Sequence, residues 1–180
     1  MFPADILLAL LAFCRVVIGL VFSLSSISKG RNIAQFQQTI RQFHILPSSL
    51  SQGAAVLFLG CEFCVAILMI IGDQLLLPGF ALAIFLLVLF CLTLLSVIVR
   101  KLHISCNCFG VSTKPISQID ILRNSGFLLC ACTGLLMAPI AKDATGDLNF
   151  AEWLLIGLGS GAFVIVWLQL GEIVQIFRHS

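Results

Sequence analysis

The feature that most constrains this chain is a series of five apolar runs, each about 20 residues long, that leave little polar surface for water. They cover Ile6 to Ser25, Gly53 to Gly72, Leu76 to Val99, Ile119 to Ile140 and Ala151 to Ile173. A helix crossing the hydrocarbon core of a bilayer needs about 20 mostly apolar residues, and in hydrocarbon only helices and closed barrels satisfy their own backbone. Composition agrees: of 180 residues, 60% are hydrophobic and 10% charged. Such numbers exclude an ordinary soluble domain and a disordered chain. The sequence therefore predicts an all-α integral membrane helical bundle, a single transmembrane domain over residues 1–180, embedded in the lipid bilayer of a cell (inner or plasma) membrane. A net charge of +2 without a basic run leaves nothing to neutralise a phosphate backbone, so no nucleic-acid partner is expected.

The connections carry the remaining organisation. The first run is preceded by Asp5 rather than by basic residues, which is unlike a cleavable signal peptide. Gly72-Asp73-Gln74-Leu75 joins the second and third runs in a tight hairpin. Two longer connections fall on one side of the membrane, side A. In the first, Ile33, Phe36, Ile40 and Phe43 recur at helical spacing among Arg31, Gln35, Gln38 and Arg41, which predicts an amphipathic interfacial helix ended by Pro47. The second, Arg100 to Gln118, holds His103, Cys106, Cys108 and Gly110 and reads as an irregular turn. Side A carries Lys29, Arg31, Arg41, Arg100, Lys101, Lys114 and Arg178, against Lys142 alone on the other side. By the positive-inside rule this places side A in the cytoplasm.

The residues that carry chemistry are cysteines and intramembrane charges. There are eight cysteines. Cys61 and Cys64 form a C-x-x-C in the second run, where i and i+3 share a helix face, so the sulfurs could close a disulfide or hold a soft metal together. Cys106 and Cys108 form a C-x-C in the side A turn; a disulfide closing so small a ring is strained and therefore oxidising. Cys14, Cys91, Cys130 and Cys132 read as packing residues. Arg15 and Glu62 each lie about ten residues into a span, where a lone charge is expensive. The economical expectation is that they face each other as a buried ion pair, either as a clamp or with Glu62 accepting protons as thiols ionise. His103 and Arg123 are candidates for stabilising a thiolate, Arg123 pairs with Asp120 at i, i+3, and Asn124 follows it. Trp153 and Trp167 suit interfacial anchors. The sequence has no Gly-rich phosphate loop, H-E-x-x-H or nucleophile elbow.

Several of these residues recur in a known pattern. Arg15-Val-Val-Ile-Gly19, Ser28-Lys29-Gly30, the stretch ending Phe43-His-Ile-Leu-Pro47, Cys61-Glu62, Cys106-Asn-Cys-Phe-Gly110 and Leu122-Arg-Asn124 together resemble the MauE/DoxX family of redox-associated membrane proteins, its MauE branch in particular. The resemblance spans roughly residues 8 to 137. It implies a four-helix DoxX-like core, to which this chain adds a fifth C-terminal transmembrane helix. It also implies a thiol-disulfide redox role: with a thioredoxin-like partner and a membrane quinone as acceptor, the protein would support disulfide formation in exported proteins. Cys61, Cys64, Cys106 and Cys108 would be the catalytic thiols, and Arg15, Glu62, His103, Arg123 and Asn124 would support them. No metal site is assigned. Likeness alone does not establish an oxidoreductase that turns over.

Disulfide formation belongs outside the cytoplasm, so the resemblance implies an extracytoplasmic active face, against the charge count. The extracytoplasmic face is the expectation adopted. Two other classes compete. A heavy-metal carrier would relay mercury or copper(I) through cysteine pairs placed at several depths, and a non-catalytic accessory subunit of a larger membrane complex would be indifferent to loss of its cysteines.

Overall fold

The computed structural model describes residues 4–42, 48–100, 118–141 and 148–170. Six α-helices and one short 3-10 turn make up the described residues: α1 (Ala4–Arg31), α2 (Ile33–Gln42), α3 (Ser48–Ile71), the turn Asp73–Leu75, α4 (Leu76–Val99), α5 (Gln118–Ala141) and α6 (Phe150–Leu168). Five of them, all but α2, are long and apolar enough to cross a bilayer. The protein is an integral membrane helical bundle.

Helices α1, α3, α4 and α5 form a ring in which each touches the next, and α6 lies outside it along α1. Phe80, Phe127, Ile18, Val17 and Val65 fill the centre of this ring. Close approach depends on glycines. Gly134 of α5 lies under the Phe80 ring and Gly126 under the Trp167 indole, so that a Cβ at either would collide, while a Cβ at Gly19 would come within 3.4 Å of Met69. Most of α6 is exposed; only Ser160 and Val164 are buried in it. Phe163 of α6 meets Phe13 edge-on at 5.6 Å.

The span limits differ from the apolar runs at side A. The first helix continues through Ser25 to Arg31, and the second begins at Ser48 rather than Gly53. Polar residues extend both helices because a backbone that stays helical keeps its hydrogen bonds as it leaves the apolar layer. Asn32 then turns the chain, with Phe36 N–H donating to Asn32 O at 3.1 Å, and α2 folds back against α3. Its Phe36 ring lies 6.3 Å from Phe58. At the other end, Gly72 has φ 75° and Asp73 φ 50°, which lets α3 hand over to α4 within four residues.

Candidate functional site

The register of α1 on α3 determines which charges meet. Arg15 reaches Met69 and Ile70 near the end of α3, whereas Ser25 and Lys29 reach Glu62; the two helices therefore run antiparallel. Ser25 and Lys29 share one face of α1 by their i, i+4 spacing.

Glu62 and Lys29 form a buried ion pair, 4% and 3% exposed, in which Lys29 Nζ donates to Glu62 Oε1. Ser25 Oγ donates to the same oxygen at 3.2 Å. Phenylalanine rings from three helices surround the ammonium: Phe58 of α3 at 5.0 Å, Phe36 of α2 at 5.1 Å and Phe90 of α4 at 5.8 Å. Ring faces are attractive to a cation, so a lysine this deep keeps favourable electrostatics on the sides that Glu62 does not cover. Among the described residues, Glu62 Oε2 has no hydrogen-bond partner although it is buried.

Glu62 lines a cleft shared by α1, α3, α4 and α5. Val21, Phe22, Phe58, Leu86, Leu87 and Phe90 supply its apolar walls, and Ser25, Lys29, Glu62 and Asn124 its polar groups. Asn124 is buried and bridges α5 to α4 by donating to Leu87 O and to Cys91 Sγ, both at 2.9 Å. The cleft thus joins a cation, an unsatisfied carboxylate oxygen and aromatic faces in one place.

The expected Arg15–Glu62 ion pair is not formed. Met69 is seven residues beyond Glu62, about 10 Å along α3, and Arg15 sits at that level. Its Nε donates to Met69 O at 2.7 Å and its Nη2 to Ile70 O at 2.9 Å. These carbonyls lie at the C-terminus of α3, where orphan acceptors and the helix dipole favour a cation. Arg15 also stacks 5.7 Å from the Trp153 ring and lies against Gly72, where any Cβ would collide with the guanidinium. Arg15 is a clamp on the α3–α4 turn, and Lys29 is the counter-ion of Glu62.

Cys61 and Cys64 of α3 are free thiols: Cys61 is half-buried against the hydrophobic core and Cys64 is exposed. Cys14 of α1 is buried and Cys130 of α5 half-buried, both within the hydrophobic core. Arg123 Nη2 pairs with Asp120 Oδ1 at 3.1 Å, in keeping with their spacing. Trp167 ties α6 to α5: its indole N–H donates to Arg123 O at 2.9 Å, while its ring stacks on Phe163 of its own helix at 5.5 Å. His103, Cys106 and Cys108 lie outside the described residues, in the connection that leaves α4 and enters α5 at side A. No group of three or more His, Cys, Asp or Glu side chains comes together among the described residues.

Lys29, Ser25 and the three phenylalanines were missed as site residues. The signal was available in part, since Ser25 and Lys29 are one turn apart and a second buried charge was needed for Glu62. The polar stretch around them read as a loop instead.

Comparison with known proteins places this architecture. The family model described as methylamine utilisation protein MauE matches residues 7–137. The methylamine utilization protein MauE of Paracoccus denitrificans is 30% identical over 153 residues, covering 81% of this chain and 82% of that protein. No solved structure matches. The matched region holds the four-helix ring and the Lys29–Glu62 cleft, and with a relative similar over most of both chains it shows that this chain belongs to the MauE family.

Proposed function

We propose that this protein is a membrane thiol-disulfide redox protein of a methylamine utilisation system. It takes electrons from a thioredoxin-like partner and delivers them to a membrane acceptor, so that disulfides form in exported proteins. The observation that carries this reading is the Cys61-x-x-Cys64 pair: two free thiols one turn apart on α3, the helix that also holds Glu62, whose buried Oε2 has no partner among the described residues.

The proposed cycle balances as follows. A reduced partner dithiol attacks the Cys106–Cys108 disulfide; a mixed disulfide forms, the second partner thiol displaces it, and the partner leaves oxidised while Cys106 and Cys108 become thiols. Exchange with a Cys61–Cys64 disulfide then restores Cys106–Cys108 and leaves Cys61 and Cys64 reduced. Their reoxidation releases two electrons and two protons to a membrane quinone, which becomes the quinol. Residues 101–117 leave α4 and enter α5 at the side A end, the end at which Lys29 lies. Cys61 is 13 residues into α3, about 20 Å from Ser48, so exchange between the pairs requires the C-x-C turn to reach inward along α3. Glu62, adjacent in sequence to Cys61, takes up the thiol protons in passing and hands them on to the quinone, so that it ends the cycle in the state in which it began.

Acid-quenched cells expressing Cys108→Ser or Cys106→Ser test the reading. One of the two variants is expected to accumulate a mixed disulfide with a thioredoxin-like protein, lost on reduction and in the double variant. Full support of methylamine growth by a variant lacking all four cysteines would overturn it and leave the accessory-subunit class.

A further inference from the structure

We propose that the cleft between Lys29, Glu62, Ser25 and Asn124 is a binding site for the oxygen-bearing edge of a hydroxy-aromatic ring, the head group of the quinone or quinol named above as acceptor. The inference rests on that reading and adds where the head group's oxygen binds: at the cleft among α1, α3, α4 and α5, not on the edge of α3 where Cys64 lies exposed.

Three observations support it. First, Glu62 Oε2 is buried without a partner among the described residues, and a buried unpaired carboxylate oxygen costs far more than a paired one. A hydroxyl donor in the cleft removes that cost. Second, Lys29 Nζ has three N–H donors, and among the described residues one of them is bonded, to Glu62 Oε1; a second donor beside an acceptor matches a ring that carries hydroxyl in one redox state and carbonyl in the other. Third, the walls are Phe22, Phe58 and Phe90 with Val21, Leu86 and Leu87, which suit an apolar ring better than a sugar or a charged solute. The enclosed part of the cleft is small, about 20 Å³, room for one water-sized group; the ring oxygen alone is seated deeply, and the ring itself lies in the open mouth.

The carboxylate also assigns a preference between redox states. Glu62 accepts a hydrogen bond from a quinol hydroxyl, whereas a quinone carbonyl offers it no donor. Lys29 serves both. Loss of the carboxylate therefore affects the reduced ring more than the oxidised one.

Calorimetric titration of the purified protein in nanodiscs, with decylubiquinone and separately with decylubiquinol kept reduced, tests the assignment. Glu62→Gln is expected to weaken quinol binding about tenfold or more and quinone binding less. The double variant Lys29→Met/Glu62→Gln, which removes both charges together and so avoids an unpaired ion, is expected to weaken both. A dimethyl ether of the quinol, lacking the donor, is expected to bind wild type and Glu62→Gln equally. Unchanged quinol affinity in a folded Glu62→Gln protein, or binding lost in Cys61→Ala and Cys64→Ala but not in Glu62→Gln, would overturn the site while leaving the redox reading intact. Glu62-dependent binding without any cysteine-dependent quinone reduction would uphold the site and refute the redox reading.

Discussion

At the scale of single residues, the decisive fact is which cation meets Glu62. A buried ion pair gives little net stability over an apolar pair, but removing one partner leaves a charge in a poor solvent and costs about 3–5 kcal/mol. Lys29→Met alone and Glu62→Leu alone are therefore expected to lower the midpoint of thermal unfolding in detergent strongly. The double replacement is expected to recover most of the loss, because the three phenylalanines around Lys29 pack against a methionine as readily. A double variant as unstable as the sum of the singles would show that the two residues do not act as a pair. Gly72 provides a second test. It combines φ 75° with the Arg15 guanidinium against its Cα, so Gly72→Ala is expected to cost about 1–3 kcal/mol for the backbone alone and to displace Arg15 as well. The same midpoint measurement on Arg15→Ala and on the combined variant separates the two effects: the losses add only if Arg15 and Gly72 act independently.

At the scale of elements, the sequence made the five spans legible because apolar runs of that length have one solution in a bilayer. The amphipathic α2 was legible for a related reason, its apolar residues falling on one stripe. The ends at side A were not. Ser26 to Arg31 looks like a connection by composition, yet it is the last part of α1, and it carries Lys29, which with Ser25 just before it binds Glu62. The expected Arg15–Glu62 pair failed for the same reason. Counting ten residues into each helix assumes equal starts, whereas α3 begins at Ser48 and places Met69 opposite Arg15. Trp167 shows a different limit, since its role depends on Gly126, which only the packed structure sets beneath it. Trp167→Ala, which empties that contact and breaks the bond to Arg123 O, is expected to loosen α6 from α5 while the four-helix ring stays folded. Limited proteolysis should then cut within 142–147 faster than in wild type, with a resistant fragment ending near α5; loss of the whole protected fragment would mean that α6 holds the ring together.

At the scale of the whole molecule, the cysteines and the charge distribution point in opposite directions. Seven basic residues at side A argue for a cytoplasmic face, but Lys29, one of the seven, is buried and neutralised by Glu62, so it does not bear on orientation as a loop charge does. The four-helix ring with an outer helix, and membership of the MauE family, follow from the fold and the comparisons; the redox cycle is the proposal built on them. Intact cells treated with a membrane-impermeant maleimide, before and after reduction, test that proposal most directly, with Cys106→Ser and Cys108→Ser as controls. The account predicts that Cys106 and Cys108 are labelled from outside only after reduction, because they form a disulfide on the extracytoplasmic face. Labelling that requires opened cells, or that proceeds fully without reduction, would contradict it.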